Sequence, residues 1–284
     1  MSFDYSTLKQ ITTEGIVDGT IISSNIANNT ITGTQIGSNQ VSSSNLASGS
    51  VVLGSSTVTG SVGIGSGGTG RSDLGSAYNA LVSNGSSLYW APYGIYGMQV
   101  FTSSGTWNRP SNVRYIKIQC VGSGGGGSGH GESGGSGGYS ERVLEVLQNG
   151  IGSVSVTING PGGGTYYSGA GGGGSGVSFG PYCSASGGYG ANQNNQHSGG
   201  LAGSGSGGDL NIYGGGGQTH NNRSSVGGDC FWGGAVAAGH PQGGNFSHNH
   251  QGHATPGSGG SGAYFGGHRG SDGKQGMIVI TMYY

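Results

Sequence analysis

Charge is the first thing this chain lacks. Asp, Glu, Lys and Arg make up 7% of its 284 residues, and the formal net charge is −1. A phosphate-binding surface needs a basic stripe, and none is present, which speaks against DNA and RNA binding. Disordered chains of the usual kind are highly charged, so that class does not fit either. A near-neutral surface protects poorly against self-association, and the chain is expected to be a subunit of something larger. No apolar run approaches the roughly 20 residues that cross a bilayer as a helix, so no membrane insertion is expected. Met1-Ser-Phe-Asp-Tyr-Ser has neither the basic nor the apolar region of a signal peptide. Cys120, Cys183 and Cys230 are odd in number and lack metal-type spacing. A disulfide framework is not expected, and synthesis in a reducing cytosol is.

Catalytic signatures are also missing. No Gly-Lys-Ser/Thr follows any glycine loop, so no phosphate-cradling loop is supported. No Gly-x-Ser-x-Gly sits at a strand-to-helix turn. A glycosidase needs two facing carboxylates. The acids Glu132, Glu141, Glu145, Asp209, Asp229 and Asp272 show no spacing that suggests such a pair. The chain is read as a non-enzyme with no catalytic residue.

Glycine is what the chain has: 71 residues, in runs such as Gly124–Gly127, Gly171–Gly174 and Gly214–Gly217. Glycine loses the most backbone freedom on folding and adds no side chain to a core. Backbone hydrogen bonding or partner subunits must compensate. Good strand sequences separate the runs: Met98–Thr102, Tyr115–Val121, Tyr139–Leu147, Val154–Ile158, Val177–Phe179 and Met277–Tyr283. Ile116, Ile118 and Cys120 alternate with Lys117 and Gln119, the pattern of a half-buried antiparallel strand. Antiparallel strands between glycine-rich turns imply a sandwich-like head. Four long stretches, about 122–138, 160–176, 184–218 and 226–274, remain. They are either flexible loops or stacked polyproline-II-like glycine strands, whose hydrogen bonds must come from neighbours.

Residues 11–51 carry an internal repeat. Ile11, Ile16, Ile21, Ile26, Ile31, Ile36, Val41, Leu46 and Val51 fall at every fifth position. A fixed period marks units that stack because none can bury its apolar residue alone. Period five needs a turn inside each unit, and Asp18-Gly19, Asn28-Asn29 and Ser48-Gly49 supply turn residues. Two arrangements satisfy the pattern: three identical chains around one axis, or a one-chain solenoid of the pentapeptide-repeat kind. Further on, Leu74, Tyr78 and Leu81 have the spacing of one helix face, and Asn84-Gly85 turns the chain into a strand at Leu88–Trp90. A short helical collar is expected there.

The order of these pieces resembles bacteriophage tail fibres. The decapeptide repeats are similar to fibre shafts. Gly67-Gly68-Thr69-Gly70, an Asn-Ala-Leu segment, Asn84-Gly85 and Trp90-Ala-Pro resemble their connector. Phe101 to Pro110, the strand Tyr115–Val121 running into glycines, Gly137 to Glu141 and the terminal Gly276 to Tyr284 resemble their glycine-rich tip. The resemblance implies an all-β, elongated homotrimeric fibre with a repetitive β shaft, a short helical collar and a glycine-rich β-sandwich-like head. It divides the chain into a virion attachment segment (1–10), shaft (11–64), connector (65–93) and receptor-binding head (94–284). The N-terminus would join the baseplate or another tail protein, the head would bind a host surface polysaccharide such as lipopolysaccharide, and the location would be the virion tail. Rival readings are a glycan-depolymerising tailspike, a structural fibre or baseplate subunit without receptor, and a cellular glycine-rich adhesin.

Candidate binding residues are the aromatics and amides of the long stretches: Tyr166, Tyr167, Tyr182, Tyr189, Asn194, Asn195, Tyr213, Trp232 and Tyr264, with Asn192, Asn221, Asn222, Asn245 and Phe265 beside them. Flat rings and adaptable amides suit sugar recognition and are the composition of antibody binding loops. Some of these rings are expected to plug the inner sheet face instead; Trp232 and Tyr166-Tyr167 are the foremost exposed candidates. His248 and His250 project to one side of an extended segment. On a three-fold axis, such pairs could hold iron or another transition metal, as histidine-x-histidine pairs do in long tail fibres of T-even-like phages. The other reading is a plain polar loop.

Overall fold

The computed structural model describes residues 17–38, 40–46, 69, 75–77, 79–166, 169–192, 198–219, 223–235, 254–264 and 268–284. The chain divides into two compact units, Met1–Ser72 and Asp73–Tyr284.

In the first unit the chain turns every five residues. Thr20 N–H bonds to the Val17 carbonyl, Thr30 to Ala27 and Gln40 to Gly37. These turns alternate with Asn25 to Ile22, Gln35 to Thr32 and Asn45 to Ser42. The second kind is locked from both sides, because Ile22, Thr32 and Ser42 N–H groups each donate to the side-chain oxygen of Asn25, Gln35 or Asn45 at 2.9 Å. Gly19 and Asn29 occupy equivalent turn positions with φ of 79° and 64°, a conformation that glycine and asparagine tolerate best. The expected turns at Asp18-Gly19 and Asn28-Asn29 are therefore present; Ser48-Gly49 lies outside the described residues. Ile21, Ile26, Ile31, Ile36, Val41 and Leu46 are each between 40% and 56% exposed. A one-chain solenoid would bury this column, and the chain does not.

The second unit begins with a hairpin, β1 (Asn79–Ser83) and β2 (Leu88–Pro92), paired from Asn79↔Pro92 to Ser83↔Leu88. This overturns the helical collar. Leu81 sits on a strand opposite Trp90; Leu74 and Tyr78 lie outside the described residues. Three apolar positions at helical spacing are outweighed by a nearby partner strand and a strong turn. Asn84 Oδ1 accepts from the N–H groups of Ser86 and Ser87 at 2.9 and 2.8 Å, and Gly85 takes a φ of 90°.

Two five-stranded antiparallel sheets follow. One is ordered β11-β6-β5-β12-β3, from β3 (Ile95–Phe101), β5 (Tyr115–Val121), β6 (Tyr139–Glu145), β11 (Leu210–Ile212) and β12 (Met277–Tyr283). The other is ordered β10-β9-β8-β7-β4, from β4 (Gly105–Asn108), β7 (Ser153–Ile158), β8 (Val177–Phe179), β9 (Cys183–Ala185) and β10 (Gly205–Ser206). Their inner faces share one apolar core. Ile116, Ile118, Cys120, Ile278 and Ile280 meet Trp107, Val156, Val177, Phe179 and Cys183. Trp107 and Phe179 meet edge to face at 5.7 Å. All three cysteines are free and buried.

Among the described residues, the glycine-rich stretches form neither plain loops nor ordinary sheet. We trace ten extended segments among the described residues: 122–128, 132–138, 160–165, 171–176, 186–192, 198–204, 213–218, 225–229, 257–263 and 269–276. Along the first, successive N–H groups from Gly122 bond to Gly138, Ser175 and Lys274, then to Gly135, Gly172 and Ser271. Along the second, those from Ser133 bond to Gln218, Gly260 and Tyr189, then to Gly215, Gly257 and Ser186. Partners rotate with a period of three, the residues per turn of a polyproline II helix. Carbonyls rotate likewise: Ser123, Gly124 and Gly125 accept from Gly188, Gly162 and Gly260. Each of these two segments thus has six neighbours. The ten pack as three rows: 171–176, 186–192 and 198–204; then 160–165, 122–128, 132–138 and 213–218; then 269–276, 257–263 and 225–229. The lattice continues directly from the sheets.

Packing this close requires glycine in the middle. A Cβ at Gly134 would lie 2.1 Å from the Gly125 carbonyl oxygen, and one at Gly125 would lie 2.1 Å from that of Tyr189. At three positions a serine hydroxyl completes the backbone pattern. Ser123 Oγ donates to the Asn159 carbonyl at 2.7 Å and accepts from Gly276 N–H at 2.8 Å. Ser133 and Ser136, one turn apart, do the same with Val226 and Asp229 as acceptors and Gln218 and Gly215 as donors.

Candidate functional site: the far end of the glycine lattice

Eight lattice segments run directly into or out of a strand at the near end. Segments 225–229 and 257–263 are joined at that same end by residues 230–256, because Gly257 pairs with Gly137 and Gln275 beside the sheets. The other five connections leave and re-enter the lattice at its far end, and their described residues, 129–131, 166, 169, 170, 219, 223, 224, 264 and 268, form a crown there.

Their bases are tied down. Tyr166 bridges Arg269, Asn192 bridges Ser198, and Ser225 bridges Gly262. Arg269 Nη2 meets Asp272 Oδ1 at 2.6 Å, and the same oxygen accepts from Gly164 N–H at 2.7 Å. Thr165 Oγ1 donates to the Gly169 carbonyl at 2.6 Å. Glu132 is fully buried, with its carboxylate accepting from the Ser128 hydroxyl. The Ser225 hydroxyl donates to the Gly131 carbonyl. The described crown residues exposed to solvent include Tyr166, 49% exposed, Tyr264 and Arg223. Rings and a guanidinium on a hydrogen-bonded frame suit recognition of a hydroxyl-rich ligand.

The predicted residues do not all converge. Tyr166 and Tyr264 belong to the crown. Tyr189 stands on the outer row of the lattice, 62% exposed. Tyr213, 76% exposed, lies where β11 enters the lattice at the near end. Tyr182 packs beside Phe179 at a centroid distance of 6.4 Å, half-buried against the apolar core, so it is a core residue rather than a crown residue. Trp232 is half-buried with its edge on Tyr139 at 6.0 Å, while Phe231 stacks on the same ring at 3.8 Å. Trp232 is thus a lid over Tyr139 at the near end. Burial and a bond to Glu141 push the Tyr139 phenol above its usual range. Tyr167, Asn194, Asn195, Asn221, Asn222, Asn245 and Phe265 lie outside the described residues, as do His248 and His250. Among the described residues no group of three His, Cys, Asp or Glu side chains converges as a metal site would.

Sequence reading missed the crown as a unit. It also missed Arg223, Arg269 and Asp272, which sit among polar loop residues with no motif to mark them. The available signal was the spacing of three in Ser133-Gly-Gly-Ser136 and Ser258-Gly-Gly-Ser261, which marks inner lattice turns. Loops are what lies between such blocks. No protein-family model and no curated protein matches the chain.

Proposed function

We propose that this chain is a phage tail-fibre adhesin that attaches the virion to a host surface glycan, such as lipopolysaccharide. The crown on a hydrogen-bonded lattice carries this reading. Such a frame fixes the positions of Tyr166, Tyr264 and Arg223, so binding through them costs little ordering. The mechanism is binding, not bond cleavage. The exposed apolar column of the repeat unit supports three copies around one axis, because each copy covers what the others leave open. Residues 1–10 would join the baseplate or another tail protein. Three weak sites on one fibre raise avidity through effective concentration.

Two measurements test this. Light scattering of the full chain should give three times its 27.9 kDa mass. Labelled full chain should stain susceptible bacteria and block infection, and Tyr166→Ala with Arg223→Ala should remove both effects. A monomer in dilute solution, or a trimer that stains no bacterium, ends the proposal.

A further inference from the structure

The outer face of the sheet β10-β9-β8-β7-β4 carries a second surface. Its outward residues lie in register. Thr157, Ser178, Ser184 and Ser206 form one row across β7, β8, β9 and β10. Two residues along the strands, Asn159, Ser186 and Ser204 form the next row, with Gly176 leaving a gap. This gap is the floor of a shallow groove of about 370 Å³. Gly176 and Ser186 also line a second hollow of about 320 Å³, which runs over Gly187 and Gly188 to Tyr189. The two hollows therefore adjoin at Gly176 and Ser186, one on the sheet and the other on the outer row of the lattice. Each falls within the range of about 300–1,000 Å³ typical of ligand sites.

The groove's chemistry is specific. No Asp, Glu, Lys, Arg or His lines it. Ser184 Oγ donates to the Ser206 carbonyl, and the Ser186 and Ser204 hydroxyls pair with each other; the Thr157, Ser178 and Asn159 side chains bond to none of the described residues, so their donors and acceptors face outward. Tyr189 ends the groove with an exposed ring. Strand spacing sets adjacent hydroxyls about 4.8 Å apart, and the two rows about 7 Å apart. That is a repeating array of neutral donors and acceptors with a flat ring at one end.

We infer that this groove binds a neutral oligosaccharide chain along the side of the head, separately from the crown. Hydroxyls of consecutive sugars meet Thr157, Ser178 and Asn159, and one sugar ring lies on Tyr189. An acidic chain is disfavoured, because the groove offers no cation to offset desolvation of its charge. The inference rests on the glycan-binding reading of the protein.

The test is a glycan array of bacterial surface polysaccharides probed with full-length chain, followed by saturation-transfer NMR on the strongest ligand. The expected ligand is uncharged. Tyr189→Ala and Ser178→Trp should each weaken it at least about tenfold. Val143→Ser, on the opposite sheet, should bind as wild type. Thermal melts of all variants check folding, and Tyr189→Ala removes only an exposed side chain. If both groove variants bind as wild type while Tyr166→Ala loses binding, the groove falls and the adhesin reading stands. If the ligand is acidic, the groove falls also. If wild type binds nothing on the array, both fall.

Discussion

The β-sandwich and the glycine lattice are continuous along the chain, yet they keep water out by opposite means. In the sandwich, side chains do the work: Trp107, Phe179, Ile116, Ile118, Ile278 and Ile280 are fully buried between the sheets. In the lattice, Gly124–Gly127 and Gly134–Gly135 are just as buried but contribute no side chain at all. There, each amide finds a partner in a different neighbour, and close approach of backbones replaces apolar packing. Each such bond contributes only about 0.5–1.5 kcal/mol net, but a buried amide left without one costs about 1–3 kcal/mol. The lesson is that a glycine core tolerates almost no error at its centre and almost any change at its rim.

Substitutions can break or sharpen this contrast. Gly134→Leu should have the largest effect, about 4 kcal/mol or more, because its Cβ meets a backbone carbonyl that cannot move aside. Hydrogen exchange should show amides 124–127 and 134–137 losing protection together; fast exchange of these amides in wild type would deny the lattice altogether. Phe179→Ala should cost about 3 kcal/mol by denaturant melt, the ordinary price of a core cavity. Ser123→Ala should cost about 1–2 kcal/mol, since it orphans the Gly276 amide and not because it loses volume. Ser123→Thr restoring stability would support that assignment. Gly173→Ala, on an outer row with open space around it, should change stability by less than about 1 kcal/mol. A large loss there would mean that rim and centre obey the same constraint.

The sandwich was the more legible region. Alternation placed Tyr115–Val121 and Met277–Tyr283 correctly, apolar composition marked Val177–Phe179, and the structure turns Ile278, Ile280 and Met282 to the core. Short strands such as Cys183–Ala185 and Leu210–Ile212 escaped notice, because three residues carry too little period to read. The Leu74, Tyr78, Leu81 spacing misled for the same reason, with Leu81 pairing across a hairpin instead. Polyproline-II-like stacking was one of two readings of the glycine stretches. Glycine has no apolar period, and only the serines at intervals of three report which face is inward. The crown was legible as composition but not as a place. Its position follows from which segments meet, and Tyr182, Trp232 and Tyr213 share its chemistry without sharing its location.

The rotation of partners along 122–127 has a further consequence for how such a head can change length. Each residue hands its amide to the next of three neighbours, so removing one residue inside a segment turns every later amide by a third of a circle toward the wrong strand. Deletions and insertions within segments should therefore survive only in multiples of three. The crown loops obey no such arithmetic, and length variation there is free to accumulate one residue at a time.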